Sequence, residues 1–300
     1  MSTTFRRIVA ASTVVAFGAL ASAQTVYSNN PTGDNFTNPG GSGITQAVGA
    51  SGWYYTNVRT DGVAGINTDY ARSGNGSAHL STSGAGNSKA DVEYYQFNTP
   101  GAPTSGFAAM GTLGSLSGLS YDWYRNSSSG AAAHLHPALR VYFDADGNFA
   151  TTTDQGYLVF ERAYNPNTAA VPTDAWISDD VFNWNGAGLS ANVWMVNFGN
   201  SNGSVEEVYN RTIQDWINSA NPNGNYPSLS AQTAIFGVSS GVGSGWGSFD
   251  GAVDNISISF TGGMSHTWNF ETQPVPEPAS MAALGLGALA LIRKRRNRKS

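Results

Sequence analysis

The sequence predicts an all-β protein: a β-sandwich of jelly-roll type with one short helix, preceded by a signal helix and followed by a short C-terminal transmembrane helix. Three observations lead there. Ten short runs rich in β-branched and aromatic residues recur, at 78–82, 91–97, 119–125, 138–143, 156–163, 175–184, 193–198, 234–239, 253–260 and 266–270. Turn signals such as Asp146-Gly147-Asn148 and Asn202-Gly203 separate them, and glycine, at 36 of 300 residues, well exceeds its usual share of about 7%. Almost no helical period intervenes, which argues against a parallel α/β sheet and for a sandwich.

The chain starts with a short basic stretch ending at Arg6-Arg7, then an apolar run over 8–20. Ala21-Ser22-Ala23 supplies small residues where a signal peptidase cuts, so cleavage is expected before Gln24, with 1–23 as the signal peptide. From Gln24 to about Gly76 the composition is turn-like, apart from the aromatic burst Trp53-Tyr54-Tyr55. No Pro/Ser-rich linker interrupts the strand pattern that follows, so 24–271 is expected to form one sandwich.

One segment breaks the two-residue period. Ser204 and Glu207 have capping-box spacing, and Val205, Tyr209, Ile213, Trp216 and Ile217 recur at helical intervals. A single helix is therefore expected from Ser204 to about Asn218, stopped by Asn221-Pro222-Asn223-Gly224.

Residues 272–278 form a linker holding Pro276-Glu277-Pro278, residues 279–292 are apolar, and residues 293–300 form a basic tail with Arg293, Lys294, Arg295 and Arg296. Fourteen helical residues span about 21 Å, short of the ~30 Å hydrocarbon thickness. The run suits a temporary membrane anchor, with its basic end inside and 24–275 outside.

The tripartite order of Pro-Glu-Pro, apolar run and basic cluster resembles the PEP-CTERM sorting signal of bacteria that make extracellular polysaccharide. The resemblance rests on about the last 27 residues and implies export, with an exosortase as processing partner. The body resembles galactose-binding-like and laminin-G-like sandwiches in two strings, GSAHLST at 76–82 and GSGWGSFDGAVDNISISF at 243–260. That resemblance implies that Trp246 and Phe249 pack and that Val253, Ile256, Ile258 and Phe260 face the core.

Composition narrows the function classes. Of 15 basic residues, two lie in the leader and six in the tail; of 20 acidic residues only Glu277 lies in these ends. The body thus carries 7 basic and 19 acidic residues, net −12, which does not suit nucleic acid. With no cysteine, disulfides, thiolate metal sites and cysteine nucleophiles are excluded.

Among candidate sites, Asp144, Asp146 and Asn148 offer alternating hard oxygens around a Gly turn, an arrangement that suits calcium; Asp154 adds a further acid. Gln155 occupies the position where an EF-hand would need its Glu, and a plain hairpin turn is the alternative. Asp91 and Glu93 share a strand face, and Glu161, Asp122, Asp179 and Asp180 add acids, yet no glycosidase carboxylate string is formed. No catalytic residue is expected. His134 and His136 read as partly exposed histidines at a strand start. Three adjacent aromatics in one strand cannot all face one side, so Trp53, Tyr54 and Tyr55 are the expected glycan contacts. The leading expectation is a non-catalytic cell-surface or matrix protein that binds carbohydrate. A polysaccharide-active hydrolase or lyase and a purely structural surface protein are the alternatives.

Overall fold

The computed structural model describes residues 23–40, 45–165, 169–198, 205–206, 208–218 and 227–274. The expected signal helix, the Pro276-Glu277-Pro278 motif, the apolar run 279–292 and the basic tail lie outside these residues. Among the described residues, no helix is long and apolar enough to cross a membrane.

In chain order the strands begin with β1 (Ala23–Tyr27), β2 (Phe36–Thr37), β3 (Gln46–Ala47), β4 (Trp53–Arg59), β5 (Val63–Asn67) and β6 (Ser77–Ser83). There follow β7 (Lys89–Tyr95), β8 (Gly111–Thr112), β9 (Leu116–Arg125), β10 (Ala138–Asp144), β11 (Gln155–Phe160) and β12 (Trp176–Asp180). Last come β13 (Val193–Asn197), β14 (Val205–Glu206), the helix α1 (Ile213–Asn218), β15 (Ala234–Gly243), β16 (Ser248–Phe260) and β17 (Ser265–Glu271). They form two sheets. One runs β1-β17-β16-β6-β5-β2, with β9 also on β16 and β12 on β9; the other runs β14-β13-β11-β10-β15-β7-β4-β3, with β8 on β15.

The protein is a β-sandwich, and alternation explains why. In β7, Ala90, Val92 and Tyr94 enter the core between the sheets, while Asp91, Glu93 and Tyr95 take the other face. The core is strongly aromatic: Trp53 of one sheet meets Trp268 and Phe270 of the other, with ring centroids 5.3 and 4.9 Å apart and near-perpendicular planes. Edge-to-face packing of this kind adds about 0.5–1.5 kcal/mol per pair beyond area burial.

The two body strings pair with each other, since β6 and β16 are antiparallel neighbours with Ala78 opposite Val253. Val253, Ile256, Ile258 and Phe260 are all buried, as expected. The three-residue step from Val253 to Ile256 breaks strict alternation. A bulge between Asp254 and Ser257, with Asn255 at φ 48°, restores the inward direction.

Two expectations change. The segment before residue 76 is more than turns, because β1, β4 and β5 lie within it. Its polar and glycine residues gain pairing partners that local composition does not reveal. The helix is also shorter than its spacing suggests. Val205–Glu206 pair as a strand with β13, Val196 opposite Val205, so a sheet edge outcompetes the local capping signal. Ser204 and Glu207 lie outside the described residues. The cap actually present is Thr212: its hydroxyl accepts from the Asp215 N–H at 3.1 Å, and the Asp215 carboxylate accepts from the Thr212 N–H at 2.9 Å.

Candidate functional site on the outer face of the nine-stranded sheet

The middle strand β15 offers almost no side chain on its outer face, where Gly237, Ser239 and Gly241 stand in line. Gly237 lies opposite Tyr95 on one side and Tyr142 on the other; Ser239 lies between Glu93 and Arg140; Gly241 lies between Asp91 and Ala138. The small strand lets side chains from β7 and β10 lean over it and meet. A Cβ on Gly241 would run into the Asp91 carboxylate.

Two linked networks result. Arg140 Nη1 donates to Asp91 Oδ1 at 3.1 Å, and Lys89 Nζ lies 3.0 Å from Asp91 Oδ2. Tyr142 Oη donates to Glu93 Oε1 and Tyr95 Oη to Glu93 Oε2, each at 2.6 Å, while Asn57 Nδ2 approaches Oε1 at 3.3 Å. Burial pushes the Lys89 ammonium below its usual pKa, with Asp91 opposing the change. Burial alone would lower Arg140, but Asp91 and the neighbouring tyrosine and Glu93 groups outweigh it and hold the guanidinium above its ordinary value. Tyr95 and Tyr142 are both raised, by burial first and then by Glu93. The two phenols are thus held as hydrogen-bond donors.

Beside this polar row lies an aromatic cleft of about 450 Å³, lined by Thr45, Ala47, Tyr54, Tyr95, Phe97, Pro103 and Phe107. Tyr95 belongs to both: its ring walls the cleft 5.6 Å from the Phe107 ring, and its hydroxyl holds Glu93. Of the three expected glycan contacts, only Tyr54 reaches this face. Trp53 and Tyr55 are fully buried in the core, where Tyr55 Oη donates to Asp34 Oδ2 at 2.7 Å. The alternation of β4 sends two aromatics inward and one outward.

The other acids are held by structural partners. Glu161 accepts from Trp194 Nε1 at 3.0 Å and is raised by burial, which that bond opposes. Asp179 accepts from Trp123 Nε1 at 2.8 Å and pairs with Arg162, while burial raises it. Asp122 meets Arg72 at 3.1 Å. His134 is exposed, but His136 is buried, unlike the expectation for it. Its Nε2 accepts from the Arg162 N–H at 3.0 Å, and burial lowers its pKa to about 3. Pro137 immediately precedes β10, which pairs from Ala138 onward with β15 on one side and β11 on the other, so its missing N–H costs the strand no ladder bond.

At the far end of β10, Asp144, Asp146 and Asp154 bring one carboxylate oxygen each within 4.8 Å of one another. Asn148 shapes this loop: its N–H donates to Asp146 Oδ1 at 2.8 Å, and its own Oδ1 accepts from Ala150 N–H. Asp154 enters from the second arm of the hairpin, and its Oδ2 accepts from the Asp146 N–H at 3.1 Å.

The fold and site define a two-sheet sandwich with an aromatic, acid-bearing outer face. Residues 274–296 match the PEP-CTERM protein-sorting motif, so the chain carries a C-terminal sorting signal that implies export and exosortase processing. No curated protein matches the sequence. Among solved structures the chain is similar to a family 11 carbohydrate-binding module from Clostridium thermocellum, in complex with a β-1,3-1,4-mixed-linked tetrasaccharide. Identity is 10%, coverage 77% of this chain and 89% of that one, and the TM-score 0.33. A cellulase derived from Cel12A of Rhodothermus marinus is 12% identical, covering 76% and 100%, with a TM-score of 0.38. The ENZbleach xylanase is 9% identical, covering 80% and 92%, with a TM-score of 0.35.

Proposed function

We propose that the protein is an exported cell-surface or matrix component that binds a neutral extracellular glycan in the Tyr54–Phe107 cleft without hydrolysing it. The observation that carries this reading is the junction at Tyr95. An apolar aromatic wall suited to sugar C–H faces is fixed there, because the Tyr95 hydroxyl is held by the buried Glu93 carboxylate.

The arrangement of acids argues against hydrolysis. A glycosidase needs two carboxyls about 5–10 Å apart, one of them a proton donor. Glu93 on β7 and Glu161 just beyond β11 are separated by β15 and β10, three strand spacings or about 14 Å. Asp91 lies two residues from Glu93 on the same face, but Lys89 and Arg140 clamp it as an anion. Glu93 accepts hydrogen bonds on both oxygens, which is the bonding of a carboxylate and not of an acid catalyst.

Calorimetric titration of the processed protein with neutral β-glucan, xylan and galactan oligosaccharides tests this. Binding should weaken at least tenfold in Tyr54→Ala and Phe107→Ala, with no new reducing ends. Release of reducing ends that stops in Glu93→Gln would replace this reading with a glycoside hydrolase. Absence of binding across the panel would leave a purely structural surface protein.

A further inference from the structure

We propose that the β10–β11 hairpin is a divalent-cation site, selective for calcium, whose ligands are the carboxylates of Asp144, Asp146 and Asp154. Three independent features of the hairpin converge on this assignment.

The first is spacing. Two oxygens that both ligate calcium at about 2.4 Å can lie no more than about 4.8 Å apart, and one oxygen from each of the three acids meets that limit. Magnesium, at about 2.1 Å, demands a tighter and more regular shell. Asp144 closes β10, Asp146 follows in the turn, and Gly147 at φ 76° reverses the chain. Asp154 returns immediately before β11. The set is therefore built by the hairpin itself, with Asp154 in the role that the Asp-x-Asp-Gly-Asn string alone leaves open.

The second is an unpartnered buried oxygen. Asp144 is fully buried; Gln155 Nε2 donates to its Oδ2 at 3.0 Å, while Oδ1 has no hydrogen-bond partner. Leaving such an acceptor unsatisfied costs about 1–3 kcal/mol, and more for a charged group. A cation between the three acids would satisfy it.

The third is charge. Asp91 shows how this protein balances a buried acid internally, with one lysine and one arginine. Among the described residues, no lysine or arginine is ion-paired with Asp144, Asp146 or Asp154. Three acids gathered without a side-chain cation call for an external one.

The site would also steady the ligand face. Binding ties the two arms of the hairpin at Asp144 and Asp154, and β10 carries Arg140 and Tyr142 towards Asp91 and Glu93. Binding and glycan recognition remain separable, because the cation readout below needs no sugar.

The test is calorimetric titration of the chelator-stripped full chain with calcium chloride, alongside thermal melting in chelator and in 5 mM calcium. One equivalent should bind in the range of extracellular modules, about 10⁻⁴–10⁻³ M, and raise the melting temperature. Asp154→Asn and Asp146→Asn should each weaken binding at least tenfold while melting in chelator at or above the unsubstituted protein, because acid–acid repulsion is relieved. Magnesium should bind at least tenfold more weakly. Heat-silent titration with identical melting in chelator and calcium would overturn the proposal, as would calcium binding that persists undiminished in Asp154→Asn.

Discussion

Tyr142 and Glu93 are joined at 2.6 Å across a strand that contributes only glycine and serine between them. The bond links β10 to β7 over the top of β15, and Tyr95 completes the grip on the same carboxylate. Buried, charge-assisted bonds of this kind contribute about 1.5–3 kcal/mol. Tyr142→Phe should therefore lower unfolding free energy by about 1–3 kcal/mol. Gly241→Ala should cost more, about 3–5 kcal/mol, because its methyl displaces Asp91 from Arg140 and leaves a buried charge uncompensated. Urea denaturation checks both. Equal stability in Gly241→Ala would show that the face has room to relax.

Asp254 makes stability depend on pH. Its Oδ1 accepts from the Asn255 and Phe270 N–H groups at 2.8 and 2.9 Å, but Oδ2 is buried without a partner, and burial raises its pKa to about 7. Between about pH 4 and about pH 7 the folded chain holds a proton that the unfolded chain has released. Stability from this group therefore falls as pH rises through that window, by up to about 1.4 kcal/mol per unit. His136 acts in the opposite direction: neutral when folded, it costs stability as pH falls below about 6.5. The comparison must therefore be a difference. Relative to Asp254→Asn, the unsubstituted protein should lose stability between pH 5 and pH 7, as read from denaturation midpoints at each pH. Parallel curves would remove Asp254 as the source.

Both ends of the body sit in one strand pair. β1 runs parallel to β17, with Gln24 opposite Trp268 and Val26 buried against the core. Cleavage before Gln24 leaves that pairing almost intact, and β17 ends at Glu271, a few residues before Pro276-Glu277-Pro278. Mass spectrometry of protein recovered from a host with an exosortase should find Gln24 at the start and no residues from 293–300. An intact tail in the membrane fraction would make 279–292 a permanent anchor.

Much of this was written locally. The alternation in 91–97, 138–143 and 253–260 predicts strands and their inward residues, because a strand's two faces need only a two-residue period. The tail was legible as an ordered string of proline, apolar and basic segments. The helix was misread at its start because a capping box is a local signal, and pairing of Val205–Glu206 with β13 is not local. β5 and the far end of β4 give no such signal because their neighbours are loop-like in composition; only the aromatic start of β4, Trp53-Tyr54-Tyr55, stands out as a strand.

The sequence by itself determined that Trp53, Tyr54 and Tyr55 must divide between two faces, and that Asp91 and Glu93 share one. Only the tertiary structure decided which face was the core. It placed Trp53 against Trp268, turned Tyr54 to the cleft, and brought Arg140 and Tyr142 over β15 to acids 49 residues earlier. Likewise Asp144 and Asp146 were visible as a pair, whereas the return of Asp154 depended on the hairpin closing. The physical reason is the same in each case: side-chain direction follows from backbone geometry within a strand, but the partner it meets is set by register between strands distant in the chain.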